Sequence, residues 1–372
     1  YFHVRLPFID CTAANYSIEF PEHPYDIKMN VQVSLLKSRL FTLFFLLILL
    51  FALPAAATLL MSRHSSNISS DIYQTGVDIY VNSGSTSTRM DLDEYLIGVV
   101  AASIPFDYHD EALKAQAVIA RTNIINILGS RKSIDDYQLN QPYINPYTLK
   151  KQLGAQWQTT IERISLAVLS TSDEIILYNG VPASALFFKC SGGKTRNAEE
   201  VFGSAIPYLI SVDSSWDCQS PDFSEQTVID TDTLMGLMQS YDTNFFAAPS
   251  GIADTIQIIS RDSAGYVQTI QIGNLSLGGD DLRYLLGLPS SCFTVDADET
   301  SVTFTTSGIG HGVGLSQYGA NVLAGEGKSY KEILAVYYPH TTVSSMNDAA
   351  AETDVSQISA GFILSSAYTP CA

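Results

Sequence analysis

From Leu40 to Ser62 the chain carries no charged residue, reading LFTLFFLLILLFALPAAATLLMS. As a helix rising about 1.5 Å per residue, such a run reaches across the hydrocarbon core of a bilayer. Lys37 and Arg39 stand before it, so the positive-inside rule puts the amino end in the cytoplasm and the rest outside. Pro54-Ala55-Ala56-Ala57 also offers the small residues of a signal-peptide cut, but the run is longer than a usual signal core. The expectation is one transmembrane anchor over 40–62, in a single-pass cell-membrane protein working beyond the cytosol. The chain begins with Tyr1, and residues 1–28 show no periodicity ahead of Met29. Translation is expected to start at Met29, which makes 1–28 an over-extended reading frame.

Beyond the anchor, composition narrows the partners. Of 372 residues, 20 are basic and 38 acidic, a net charge of −18. That field repels phosphate backbones, which excludes nucleic acid as a natural partner and leaves glycans open. The five cysteines, Cys11, Cys190, Cys218, Cys292 and Cys371, form no CxxC and no zinc-type spacing with histidine. A Cys190–Cys218 disulfide and unpaired buried thiols both remain open. No metal and no cofactor are expected.

After the polar tether SRHSSNISS, the stretch VDIYVNSGSTSTRMDL reads as strand, turn and strand entry. Leu92, Tyr95, Leu96, Val99 and Val100 then recur at helical spacing. At about 100° per residue, Ser103 falls within about 20° of Leu92 on that apolar stripe, and Pro105 closes the helix. A second helix opens near Asp110, with Ala112, Ala115, Ala117 and Ala120 for close packing, and Lys114 and Arg121 on one face. Residues 131–160 read as a long surface excursion, 161–170 as helix, and IILYNGVPASALFFKC as a hairpin turning at Asn179-Gly180. CSGGKTRNAEEVFG is a glycine loop entering a short helix, without the spacing of a nucleotide loop. Alternating signals over 223–300 suggest an inserted subdomain. Gly308 to Gly319 is glycine-rich, Ser329 to Glu332 is a capping box, and 342–372 reads as a flexible tail.

Two stretches, DEYLIGVVAASIPFDYHDEALKAQAVIART and GHGVGLSQYGANVLAGEGKSYKEILAVYYPHTTV, closely resemble the SpoIID/LytB domain family. FFKCSGGKTRNAEEVFGSAIPYLISVDSSWD and the blocks around RDSAGYVQTIQIGN and LRYLLGLPSSCFTV resemble it too. Together they place the domain over 75–341. The resemblance implies a wall protein of endospore formers that acts on peptidoglycan during engulfment by lytic transglycosylation. In that reaction one glutamic acid protonates the glycosidic oxygen. As carboxylate it then takes the proton of the muramic 6-hydroxyl, closing an anhydro ring.

In the family pattern the glutamate directly precedes a Met-Pro or similar pair, and here Ser103 precedes Ile104-Pro105. A hydroxyl is no proton donor at neutral pH, and losing a positioned acid costs about 100- to 10,000-fold in rate. Three readings follow: a weakened or inactive member that still binds glycan, a displaced carboxylate, or a scaffold acting on other wall proteins as the amidase-enhancer branch does. Among displaced acids Glu94 lies about 180° from Ser103 on the helix, Asp107 is a third choice, and Glu111 is the best placed in sequence. The resemblance also puts Lys114 and Arg121 along the glycan cleft, with His311, Ser316, Gln317 and Tyr318 of the glycine-rich block. Lys194 and Thr195 are added to that set. From the residues alone, His311 flanked by glycines reads as structural and Glu111 as a helix-dipole residue. The expected fold is α+β, a β-rich core with packed helices and an inserted subdomain.

Overall fold

The computed structural model describes residues 73–247 and 251–349, with Phe44 and Ala52 as isolated positions. The segments 1–28 and 40–62 as such, and the chain after 349, lie outside the described residues. Among the described residues no helix is long and apolar enough to cross a membrane.

The domain opens with a hairpin, β1 (Asp78–Ser83) and β2 (Thr86–Asp91), which hands directly to helix α1 (Leu92–Ser103). Asp91 makes the junction: one carboxylate oxygen accepts the Asp93 N–H at 3.0 Å, and the other accepts Thr75 N–H at 2.9 Å. An orphan donor of the helix start is satisfied and the incoming chain is tied down at once. Helix α2 (Asp110–Leu128) follows, then β3 (Ser133–Asp135), which lies parallel beside β1. Helices α3 (Pro146–Leu153) and α4 (Trp157–Ser170) complete the first half.

The segment 131–160 lies largely at the surface, as expected, with Tyr137 and Tyr147 exposed, but it is pinned to the domain at particular points. Tyr143 stacks on Tyr95 with ring centroids 4.7 Å apart, and Ile144 N–H donates to Gly98 O. A Cβ on Gly98 would stand 2.4 Å from the Tyr143 ring, so the close approach requires glycine there. Composition hid these points, because the anchors are single aromatic residues rather than a periodic stripe.

Next come β4 (Glu174–Tyr178), β5 (Val181–Pro182), β6 (Phe187–Phe188) and the short helix α5 (Ala198–Phe202). β4 and β5 pair through Tyr178 and Val181, and between them Asn179 and Gly180 both take positive φ, 52° and 81°. That is the turn the Asn-Gly pair calls for. The chain then continues through β7 (Ser224–Asp230), α6 (Thr231–Tyr241), β8 (Ile256–Arg261), β9 (Val267–Ile272), β10 (Leu275–Gly278), α7 (Gly279–Leu286), β11 (Phe293–Ala297) and β12 (Ser301–Ser307). Two three-stranded sheets, β10-β9-β8 and β11-β12-β7, enclose a separate core with Leu234, Met238, Ile270 and Phe304 at its centre. The paired strands of this segment run on to Ser307, because β12 pairs along its whole length with β7.

The chain returns as β13 (Leu315–Ser316), parallel to β6, then α8 (Gln317–Gly325), α9 (Tyr330–Tyr337) and β14 (Thr342–Ser345). Ser329 and Glu332 form the expected capping box. The tail expected from 342 begins as structure: Thr342–Ser345 pairs antiparallel with β4, adding one more strand to the hairpin.

The fold is α+β, and among the described residues the strands form five sheets of two or three. A helix, not a sheet, holds the centre of the larger core. α2 packs against α1, α4, α8, α9 and β4, so nearly every side is covered. Its alanines make that enclosure sterically feasible, and the polar Gln116, Arg121 and Thr122 are buried along with them. Truncating a fully enclosed side chain there or on α1, such as Leu96, to alanine costs about 2–5 kcal/mol.

Candidate functional site

Ser103 is the last residue of α1 and is 5% exposed. Its hydroxyl turns back to donate to Val99 O at 2.6 Å, a local bond of the kind serine makes within helices. Its carbonyl accepts a 2.6 Å bond from Gln317 Nε2, which also donates to Gln116 Oε1 at 3.1 Å. The end of α1, the middle of α2 and the first residue of α8 are thus joined at one buried point. The loop after Ser103 is held from two sides. Arg163 on α4 donates to the carbonyls of Phe106 and Tyr108 and pairs with Asp110, while Asn321 on α8 accepts His109 N–H. Tyr108 meets Tyr318 edge-on at 6.5 Å, and Phe106 at the loop tip is exposed.

Glu111 does not face this point. Its carboxylate accepts from Lys114 Nζ at 2.6 Å and from Tyr330 N–H at 2.7 Å, capping the start of α9. As a substitute acid it is therefore misplaced, because one oxygen is paired with Lys114 and the other caps α9. Lys114, half-buried, lies 5.9 Å from the Tyr330 ring centre and shares that structural duty.

Arg121 is a correction to the cleft expected from the sequence. It is 0% exposed, and Nε and Nη2 bind Asp93 Oδ1 at 3.0 and 2.8 Å. Its remaining donors go to the carbonyls of Val168, Thr171 and Glu174. The first two are open carbonyls where α4 ends, which an arginine satisfies well, and the third is at the start of β4. The shared face of Lys114 and Arg121 is real on the helix. It does not reach solvent along its length, because α4 and β4 cover the Arg121 end.

In the glycine-rich block, His311 Nδ1 accepts Val313 N–H at 3.1 Å, so Nε2 carries the proton and donates to Phe187 O at 3.1 Å. Burial, helped by the Arg283 charge, pushes its pKa down to about 4. Neutral His311 is thus a backbone clasp. Ser316 Oγ accepts Gly319 N–H and caps α8, and Tyr318 N–H donates to Lys189 O. Thr195 is buried, bonded through Oγ to Ile210 O and Val212 N, so it too is structural; Lys194 beside it is exposed and bridges in the backbone to Asp213. The residues brought together at Ser103 are Gln317 and, nearby, Tyr318; Glu111 and Arg121 are directed elsewhere. Among the described residues no group of three or more His, Cys, Asp or Glu side chains is placed to hold a metal ion.

Several residues that sequence reasoning passed over hold the site in place. Gln116 is fully buried, a lone amide among alanines and the only signal it gave. Arg196 is buried against Asp262 at 2.6 Å and Asp280 at 2.9 Å, and donates to His311 O at 3.2 Å. It links Asp262 and Asp280 to the glycine-rich block. A Cβ on Gly312, at φ 82°, would lie 2.8 Å from Arg196 Cδ, so glycine is required where that arginine passes. Asp217 is fully buried under α8 and accepts Ser191 N–H at 2.8 Å and Ser214 Oγ at 3.0 Å. Burial pushes its carboxyl up from the usual range.

The stage II sporulation protein family model matches residues 80–178, which hold α1, α2 and the Ser103 junction. Stage II sporulation protein D of Bacillus subtilis (strain 168) is 38% identical over 276 residues, covering 72% of this chain and 78% of the relative. The Bacillus amyloliquefaciens protein of that name is 37% identical over 281 residues with the same coverage. A Bacillus subtilis (strain 168) protein named amidase enhancer is 28% identical over 305 residues, covering 67% of this chain and 40% of that relative. With the colinear blocks around Ser103 and Gln317, these likenesses place the chain in the stage II sporulation protein D family.

Proposed function

We propose that this sporulation protein is membrane-anchored through 40–62 and binds peptidoglycan glycan strands outside the cytoplasm, with the general-acid step of its family lost at Ser103. The observation that carries the reading is the state of that residue. Its hydroxyl is spent on Val99 O, and Glu111, the best placed substitute in sequence, is spent on Lys114 and Tyr330. A general acid needs a proton to give at working pH and a place within hydrogen-bond reach of the leaving oxygen. Neither group meets both demands. Binding makes no such demand, and the clamped loop 104–109 with Phe106, Tyr108 and Tyr318 offers aromatic faces of the kind on which apolar sugar faces pack.

The test uses the chain from residue 65 to 349 and peptide-stripped glycan, with anhydro-muramic ends counted and bound protein measured by co-sedimentation. The wild type is expected to bind and to leave few new ends; Ser103→Glu is expected to gain them. Cleavage by the wild type that Glu111→Gln abolishes would overturn the reading in favour of a displaced acid. Absence of binding would overturn it altogether.

A second reading is supported by the relative named amidase enhancer: the chain acts on a wall enzyme rather than on glycan. It predicts that a partner amidase hydrolyses wall faster in its presence while co-sedimentation with bare glycan stays at background.

A further inference from the structure

Cys190 is buried, Cys218 exposed and Cys292 half-buried, and all three are thiols. Cys190 Sγ lies 3.7 Å from the carbonyl oxygen of Asp217, which belongs to the peptide bond leading into Cys218. The two side chains are close enough that charge on Cys218 disfavours the Cys190 thiolate. Cys218 sits in the short 3-10 turn Ser215–Gln219, and that turn is already fastened to the residue after Cys190, through Asp217 Oδ2 and Ser191 N–H. Cys292 faces another way: its Sγ is 3.9 Å from Gly265 O, on the side of the loop where a Cβ at Gly192 would come within 2.7 Å of it.

We propose that Cys190 and Cys218 form a thiol–disulfide site, closed by a low-molecular-weight disulfide such as oxidised glutathione. Exposed Cys218, as thiolate, attacks one sulfur of the oxidant, forming a mixed disulfide and releasing one glutathione thiolate. Cys190 then gives its proton to solvent and attacks the Cys218 sulfur, releasing the second glutathione. Two protein thiols and one disulfide become one protein disulfide and two thiols. Closure needs rotation at Cys218 and a small shift of its turn, because a disulfide requires Cα atoms within about 7 Å of each other.

The buried partner decides how the bond behaves. Desolvation pushes the Cys190 thiol up to about 12. A high-pKa thiol is a poor leaving group, so an external thiol reopens the bond slowly once it has formed. The position also gives the bond an effect. Cys190 exchanges both backbone hydrogen bonds with Ile309 of the glycine-rich block, and Asp217 sits under the start of α8. Closing 190 to 218 therefore braces the support on which Gln317 and Tyr318 stand.

The full-length chain in detergent is incubated with oxidised glutathione, unfolded in alkylating reagent, digested without reduction and mapped by mass spectrometry. The expected result is one cross-linked peptide joining Cys190 to Cys218, with Cys292 alkylated. A thermal midpoint several degrees above the reduced protein, reversed by dithiothreitol, should accompany it. Cys218→Ser, at an exposed position, should lose both effects, and it keeps the test valid if Cys190→Ser fails to fold. Cys218 recovered as a stable glutathione adduct with Cys190 alkylated, or linked to Cys11, Cys292 or Cys371, would overturn the proposal.

Discussion

Gln317 donates to the carbonyl of Ser103 across 214 positions of sequence, at 2.6 Å and out of contact with water. Through the same nitrogen it also holds Gln116, so one amide fixes how α1, α2 and α8 meet. Gln317→Ala leaves the Ser103 carbonyl and the Gln116 oxygen buried with no donor from Gln317. Each such buried group left unmade costs about 1–3 kcal/mol. Urea denaturation should show a loss in that range, and glycan co-sedimentation should fall with it, because the Tyr318 position depends on the same helix start. A variant as stable as wild type would mean that the bond contributes nothing.

Arg121 and Lys114, alike in sequence, should separate sharply in the test tube. Arg121→Met strands Asp93 without its cation in a dry site, which costs about 3–5 kcal/mol. Lys114→Met removes a half-exposed ion pair and should cost no more than about 1 kcal/mol. Adding Asp93→Asn to Arg121→Met should recover part of the loss. Equal effects of the two single variants, measured by chemical denaturation, would refute the structural role given to Arg121.

That contrast shows where the sequence could be read and where it could not. The helix ending at Ser103, the turn at Asn179-Gly180 and the capping box at Ser329 were legible because each depends on residues a few positions apart. The burial of Arg121 was not, since helical spacing tells which face a residue occupies and not what later covers that face. Here the cover is the end of α4 and the start of β4, about fifty residues on. Gln116, Arg163 and Arg196 escaped for the same reason: their partners lie far along the chain, and a lone polar residue carries no periodicity. The surface course of 131–160 is legible in its polar composition, whereas its attachment is not, because Tyr143 needs Tyr95 and Gly98 to make sense of it.

Stability should fall as the medium becomes acidic, partly through His311. Its folded pKa is about 4, below the ordinary value of 6.5. The unfolded chain therefore takes up a proton first, and stability present above pH 6.5 is lost as pH drops toward 4. Asp217, whose carboxyl is pushed up by burial, works in the opposite direction at the acid end. The measurement is thus a difference between two proteins. His311→Gln, which keeps a donor for Phe187 O and an acceptor for Val313 N–H but cannot titrate, should show a shallower decline between pH 6.5 and 4. Parallel curves would mean that His311 is solvated and charged in the folded state.

Replacing Ser103 by glutamate should restore a proton donor and cost stability, and the two effects have one cause. The position closes α1, where the helix dipole presents its negative end, and it is 5% exposed. Both features disfavour a carboxylate and raise the pKa of an introduced carboxyl above the ordinary value near 4.3. A folded pKa above the unfolded one means the variant loses stability as pH rises through that interval, by about 1–3 kcal/mol in all. The gap between wild type and Ser103→Glu should therefore be small at pH 4 and widen toward pH 8. The rate of anhydro-end formation by the variant should fall over the same interval, as the acid is titrated away. If the gap stays constant with pH, the introduced carboxyl is hydrated at the surface, and the end of α1 is not the desolvated niche that acid catalysis requires.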